Sequence, residues 1–276
     1  MNKSVNYLKC LIILFIICHF EAQATNLARG ASVANEISTK SQNHNSLHDD
    51  WNVLLDKYVK IDEKSAVNLF DYISLSQNLK DQNLLHSYLS QLEGVDPNLL
   101  SRKATIAFYA NLYNAITVML ISENYPIKSI LKLGPLNSGP WKRKLIKING
   151  ELVSLDDIEH NILRTQYSSP YLHYMLNCAS ISCPNLQKKA WEGRTLELDQ
   201  LRAADEYINS SRGVILQKKG LKVSSIYKWF KEDFQRDGGV LDHILKHASE
   251  DLKTAIINGV KIRAYNYDWT LNDVTG

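Results

Sequence analysis

The stretch RKATIAFYANLYNAITVMLISE, Arg102 to Glu123, decides the fold. Ala104, Ile106, Ala107, Phe108, Leu112, Tyr113, Ala115, Ile116, Val118, Met119, Leu120 and Ile121 place apolar side chains almost all round a helix. A helix without a polar face is enclosed by other elements, so this one is expected at the centre of the molecule. Tyr125-Pro126 ends it, because a residue before proline resists the helical region. Its surroundings follow in sequence. Trp51, Leu54, Leu55, Tyr58 and Val59 recur at three- and four-residue steps, as do Leu79, Leu84, Leu85, Tyr88, Leu89 and Leu92, giving two amphipathic helices.

Past the central helix, Gly134-Pro135 to Gly139-Pro140 reads as a loop within the domain. Asn149-Gly150 between Lys144–Ile148 and Glu151–Val153 is a compact hairpin signal. Ser154 and Asp157 form a variant capping box for a helix continued by Ile158, Ile162 and Leu163. Tyr171 to Leu176 is expected as a short strand entering Asn177-Cys178, and Pro184 as the start of a helix ending near Gly193. Leu196–Asn209, Ser224–Phe234 and Leu241–Ile257 read as helices, Val214–Val223 as a second hairpin, and Val260–Tyr267 as a closing strand. The fold class is α+β: one predominantly helical domain over residues 46–276, with a few short antiparallel strands and hairpins.

The ends of the chain set its compartment. Lys3 and Lys9 precede an apolar run from Cys10 to Phe20, followed by Glu21-Ala22-Gln23-Ala24. This is the pattern of a secretory signal peptide over residues 1–24, with cleavage after Ala24 and a periplasmic or secreted destination. The run is too short to span a bilayer, which takes roughly 20 apolar residues. A retained anchor shares the same opening pattern, and that alternative stays open. Membrane contact is expected only through this segment. Residues 25–45 are polar and aperiodic, a leader ahead of the domain. The formal charge of +3 becomes +2 once Lys3, Lys9 and Glu21 are removed, with no basic stripe, so nucleic acid is not an expected partner. The cluster Lys142-Arg143-Lys144 with Lys147 reads as a solvated face.

Of four cysteines, Cys10 and Cys18 leave with the signal, and Cys178 and Cys183 remain. In an oxidising compartment these two form either a disulfide or a special site. If Pro184 opens a helix, Cys183 is its N-cap, where amides and the helix dipole favour a thiolate. Thiolate chemistry needs a base, and His160 and His173 are the nearest candidates, with Asp156 and Asp157 placed to hold His160 in one tautomer. Asn111 and Asn114, three apart on the central helix, project from one face; they either contact a substrate or tie the helix to a loop. No tight Cys or His spacing suggests a metal, and no cofactor is expected. Tyr265 to Asn272 and Trp229-Phe230 with Asp233-Phe234 read as core-capping aromatic groups, the former alternatively as a groove wall.

Taken in order, Phe108 to Ala115, Tyr125 to Ile130, Ser154 to Arg164, His173-Tyr174, Cys183-Pro184, Ser225 to Phe230 with Asp233-Phe234, and Tyr267 to Asn272 resemble the domain-of-unknown-function 547 family. The resemblance runs over roughly residues 46–273. It implies a single mixed domain, seen in bacterial exported proteins and as a module elsewhere, with no settled activity. The family pattern retains the positions filled here by Glu159, His160, His173, Cys178 and Cys183, which makes Glu159 a candidate for substrate binding. This chain departs from it at Tyr109, where tryptophan is common, and at Tyr171, where arginine is common. Two functions follow. One is a thiol hydrolase or acyl-transfer enzyme on amide or thioester bonds, with Cys183 as nucleophile, His160 as base, Cys178 and His173 beside them, and Asn111 or Asn114 in support. The other is a non-catalytic binding domain for a peptide, protein or envelope component, with Cys178–Cys183 a structural bridge.

Overall fold

Ser101 opens the central helix by accepting the Ala104 amide at its hydroxyl, and the helix runs from Arg102 to Glu123 (α4 below). The computed structural model describes residues 46–62 and 65–275; the segments read as signal peptide and leader, residues 1–45, lie outside the described residues. Thr105 to Val118 is buried without interruption. By length and apolarity this helix would cross a membrane, yet 89% of its most apolar window is covered by the rest of the protein. It is the core helix that its all-round pattern predicts.

Among the described residues, three α-helices, a hairpin and a short 3-10 turn at Pro97–Leu99 precede it. Helix α1 (Asp49–Tyr58) buries Trp51, Leu54, Leu55 and Tyr58, and α3 (Leu79–Glu93) buries Leu85, Tyr88, Leu89 and Leu92. Trp51 stacks on Tyr88 with centroids 5.9 Å apart, joining these two layers, and α3 lies on α4. Val59 leaves the helix and starts a strand: β1 (Val59–Asp62) pairs antiparallel with β2 (Val67–Phe70). This hairpin escapes the sequence reading, since its turn carries no Asn-Gly or Asp-Gly pair. The short helix α2 (Tyr72–Ser76) follows, capped by Asp71.

The expected hairpin is present as β3 (Ile146–Ile148) and β4 (Glu151–Val153), with Asn149 and Gly150 at φ 50° and 85°. Both signs are positive, as a two-residue turn between right-twisted strands requires. The capping box is also present: the Asp157 amide donates to Ser154 Oγ and the Ser154 amide to Asp157 Oδ2. The helix it starts is wound unusually. Helix α5 (Asp157–Arg164) is a π-helix, continuing into one α turn at Thr165–Tyr167. π-Turns concentrate at functional sites.

Two expected elements are corrected. Tyr171–Leu176 is not a strand, because Pro170–Tyr174 forms a 3-10 helix with Pro170 in its first turn and Ser169 Oγ accepting the Tyr171 amide. Proline at that position is pre-set for helical φ, and this outweighs the strand preference of the aromatic residues. Pro184 starts no helix, and the chain from Pro184 to Gln187 is irregular. Cys183 is therefore not an N-cap; its amide closes a turn on the Ser180 carbonyl at 3.0 Å. Helix α6 (Leu196–Ile208) comes only after Gly193, whose missing side chain is required: a Cβ there would sit 2.8 Å from the Ala104 nitrogen.

The C-terminal part delivers groups to one end of a sheet. Strands β5 (Val214–Gln217) and β6 (Gly220–Ser224) form the second expected hairpin, and β7 (Ile262–Asn266) lies parallel to β6. Parallel neighbours need a crossover. It consists of α7 (Ile226–Trp229), the 3-10 helix Lys231–Asp237, α8 (Val240–His247) and α9 (Glu250–Ile257). The expected single helices Ser224–Phe234 and Leu241–Ile257 are thus each broken, the second at Ala248, whose φ of −65° and ψ of 146° are extended. Since β6 and β7 run the same way, both leave the sheet at one edge, carrying Trp229-Phe230 and Tyr267–Trp269 with them.

Buried histidines make this core sensitive to acid. His243 donates from Nδ1 to Asp237 at 2.5 Å and accepts the Tyr174 hydroxyl at 2.8 Å, and His48 contacts the Tyr88 hydroxyl at 2.7 Å. Burial pushes both imidazoles down to about 4 against the opposing pull of neighbouring carboxylates. The unfolded chain takes up these protons near pH 6.5, whereas the folded one refuses them until about pH 4. Their contribution is fully present above pH 6.5 and is lost as pH falls toward 4. The unfolding free energy from urea titration is expected to drop over that window, by a few kcal/mol in total, carrying the midpoint down with it, and to drop less in His243→Gln. A midpoint constant from pH 7 to 4.5 contradicts this.

Candidate functional site

The irregular segment from Met175 to Trp191 forms one wall of a pocket, and α4 holds it through two asparagines. Asn111 mimics a peptide unit: its Oδ1 accepts the Trp191 amide at 3.0 Å and its Nδ2 donates to the Trp191 carbonyl at 2.9 Å. Asn114 does the same one turn on, accepting the Asn177 amide at 2.8 Å and donating to the Met175 carbonyl at 2.9 Å. Both are fully buried, and neither lines the pocket. Of the two roles open to them, the tie to a loop is the one their contacts fulfil.

Between these anchors the chain turns sharply. Asn177 accepts the Ala179 amide and donates to the Pro184 carbonyl, Ala179 adopts φ 58°, and Cys178 and Cys183 are joined across a Cα separation of 6.1 Å. That spacing is within the range a disulfide spans. The bridge is buried. Cys183 Sγ receives the Cys178 amide at 2.8 Å, and the Tyr267 hydroxyl lies 3.1 Å from Cys178 Sγ and 3.2 Å from Cys183 Sγ. Among the described residues, no hydrogen bond joins either sulfur to a histidine. From beneath, the Arg212 guanidinium donates to the Cys183 carbonyl at 2.5 Å and to Asn185 Oδ1 at 2.9 Å.

The pocket above the bridge encloses about 220 Å³. Glu159, His160, His173, Cys178 and Cys183 all line it, so five of the seven site candidates converge. Burial pushes the Glu159 carboxyl up to about 7, opposed by the charge of Arg164 and a hydrogen bond from Tyr113. A carboxyl so placed exchanges a proton near neutrality. His160 accepts Arg164 Nη1 at Nδ1, 3.1 Å away, which leaves its proton on Nε2, 3.7 Å from Asp156 Oδ1. Burial lowers its pKa. Asp157, the other suggested partner, is occupied by Lys144 and Ser154, which hold its carboxyl well below the usual range.

His173 faces away from Tyr171, since the two lie on a 3-10 turn rather than a pleated strand. His173 Nε2 donates to Asp233 Oδ2 at 2.7 Å and the ring stacks on Phe230, centroids 4.2 Å apart. Burial lowers the pKa of this imidazole too, with Asp233 opposing. Arg164 meets the same carboxylate by Nε at 2.6 Å and Nη2 at 3.0 Å. Burial alone would raise the Asp233 pKa, but His173 and Arg164 together hold it well below the ordinary carboxylate range. Tyr171 contacts His247 at 3.0 Å, and His247 in turn donates to Asp205 at 2.6 Å. At the position where the family commonly has arginine, this chain thus has a tyrosine engaged in packing α8 and α6.

The aromatic walls come from afar. Trp141, Trp229, Phe230, Tyr267 and Trp269 line the pocket. Trp229, Tyr267 and Trp269 meet one another with centroids 4.7–5.9 Å apart. Sequence reasoning singled out Tyr265–Asn272 and Trp229–Phe234 as packing, with a groove wall the alternative for the former, but it gave no site role to Arg164, Asp233 or Trp141. Asp233 is 60 residues from His173 and 69 from Arg164, so no local pattern relates them. Among the described residues, no group of three His, Cys, Asp or Glu side chains is placed to hold a metal ion.

Two substitutions test this architecture. Asn114→Ala leaves the buried Asn177 amide unpaired and the Met175 carbonyl with only the Trp191 indole N–H, and is expected to cost about 2 kcal/mol in urea unfolding, whereas exposed Asn98→Ala costs little. Asp233→Asn is expected to cost about 1–3 kcal/mol, less than a fully buried pair because Asp233 and Arg164 are partly exposed. It also lowers the His173 pKa further, measured by NMR titration; an unchanged His173 pKa contradicts the pairing.

Comparison with known proteins gives one family. No curated protein and no solved structure matches the chain. Residues 97–208 match the family model described as "Protein of unknown function, DUF547", a narrower span than the motifs suggest. It contains α4, α5, both cysteines, His160 and His173, and stops short of the aromatic walls supplied by Trp229, Tyr267 and Trp269. Over that segment the chain is similar to the DUF547 family.

Proposed function

We propose that this chain is an exported ligand-binding domain whose Cys178–Cys183 bridge braces the pocket rather than reacting in it. The observation that carries this reading is the state of the sulfurs. They are bonded to each other, buried, and met by the Cys178 amide and the Tyr267 hydroxyl instead of an imidazole. The N-cap that would have held Cys183 as a thiolate is missing, because no helix begins at Pro184. Without that dipole and without a neighbouring base, the two ordinary means of lowering a thiol pKa are both lost. What the pocket offers instead is recognition: aromatic walls, the carboxyls of Glu159 and Asp156, and two neutral imidazoles. Export is supported by the N-terminal signal pattern and by the bridge itself, since such bonds persist in oxidising compartments. The partner is a small molecule or a side chain of a peptide or envelope component.

The thiol hydrolase remains a second reading, favoured by one observation: His160, His173, Glu159 and both cysteines line a single pocket. It requires the bridge to be reduced before Cys183 can attack a carbonyl.

Thiol titration separates the two. The mature, unreduced protein is expected to show no reactive thiol in denaturant, and Cys178→Ser with Cys183→Ser is expected to lower the melting temperature while leaving the pocket able to bind fragments. Two titratable thiols, with iodoacetamide labelling of Cys183 that sets in below pH 8, would overturn the binding reading in favour of the hydrolase. Fragment binding is read from the indole N–H signals of Trp141, Trp229 and Trp269.

A further inference from the structure

We infer that the pocket recognises a small organic ammonium cation, alkylated or quaternary, held between the aromatic rings and the carboxyl groups of α5. The inference rests on the binding reading above and names its ligand class.

The lining has an unusual balance of charge. Asp156 and Glu159 contribute carboxyl groups, and no lysine or arginine lines the pocket. Two guanidiniums lie behind the lining: Arg164 is committed to Asp233 by two hydrogen bonds and lies over the Phe230 ring, 4.8 Å from its centroid, and Arg212 is committed to the Cys183 carbonyl and Asn185. His160 and His173 add no positive charge at neutral pH, since burial lowers the pKa of both. The lining therefore carries carboxyl groups and no lysine or arginine of its own, and the Arg164 guanidinium behind it is already paired with Asp233, in a pocket half walled by rings.

Those rings suit the same ligand. Trp229, Tyr267 and Trp269 are mutually tilted, with interplanar angles of 30–52°, and Trp141 tilts against Trp269 at 52°. Rings at such angles present faces in several directions, and a ring face attracts a cation through its quadrupole. A primary ammonium is strongly hydrated and needs three acceptors to replace its water. The Tyr267 hydroxyl is already engaged by Ser180 and the two sulfurs, so the ring-walled side of the pocket offers faces rather than free acceptors, and acceptors come only from the carboxyl side. An alkylated ammonium has little hydration to lose and matches faces plus carboxylates.

Glu159 ties binding to pH. Facing it are Asp156, His160 and Arg164 on its own helix, Tyr113 on α4, Asp233 on the 3-10 helix after α7, and Tyr267 beyond β7. With its carboxyl pushed up to about 7, Glu159 changes charge within the neutral range. A cation is favoured by the ionised form, so affinity rises with pH through this region.

The probe is choline, followed by tryptophan fluorescence and calorimetry on the mature protein, against its neutral isostere 3,3-dimethylbutanol and against N-acetylglucosamine. Choline is expected to bind saturably and at least tenfold more tightly than the isostere, and several-fold more tightly at pH 8 than at pH 6. Trp229→Ala, at a half-exposed ring whose loss leaves the core intact, and Asp156→Asn are each expected to weaken choline tenfold or more. Glu159→Gln is expected to flatten the pH dependence. Equal binding of choline and the isostere, or choline binding indifferent to both substitutions, overturns the proposal. Binding of the sugar or of neutral fragments without choline also overturns it, while sparing the ligand-binding reading; an absence of all binding at the indole signals removes both.

Discussion

A buried stretch of chain that belongs to neither helix nor sheet must find partners for every peptide group elsewhere, and this protein is organised around one such stretch. From Met175 to Leu186 nearly every residue is buried, so water cannot satisfy its amides and carbonyls, and each unpaired group would cost on the order of 1–3 kcal/mol. Side chains do it instead. Asn111 and Asn114 reach from the central helix, Asn177 from within the loop, Tyr207 to the Ser182 carbonyl at 2.8 Å, and Arg212 to the carbonyls of Ile181 and Cys183. The C-terminal segment adds a bridge between Ser180 and Leu271. The two asparagines buried in the middle of α4 are explained by this need.

The same constraint shapes the pocket. A wall so heavily tied is rigid, and the disulfide adds one more closure to it. Across from it, π-winding of α5 sets Asp156, Glu159, His160 and Arg164 along one side, and Arg164 hands the arrangement on to Asp233 and from there to His173. The aromatic rings arrive by a third route, on segments leaving parallel strands at one sheet edge. Three separate parts of the chain thus converge, of which the family match covers two.

How much of this was legible follows from the range of each interaction. The bounds of α4, the Asn149-Gly150 turn and the Ser154–Asp157 box are fixed by neighbours within a few residues, and the sequence reading of each agrees with the structure. The convergence of Glu159, His160, His173 and the cysteines was visible as a set of chemically able residues, without its geometry. Reading failed where a distant partner or a strong local residue decided. Pro170 turned an aromatic run into a 3-10 helix, and Asn177 and Arg212 captured the Pro184 segment before it could wind. Asp233 looked like an ordinary polar position on a packing helix because its partners sit more than fifty residues upstream.

The asparagine ties carry a consequence for how this chain tolerates change. Each addresses one particular peptide unit, so the segment is counted residue by residue between Asn177 and Trp191. A single inserted or deleted residue would put every later carbonyl out of step with its donor. Irregular segments are ordinarily where insertions and deletions accumulate; here that freedom belongs to turns such as Lys218-Lys219, and the stretch with the least regular backbone is the one whose length is most strictly set.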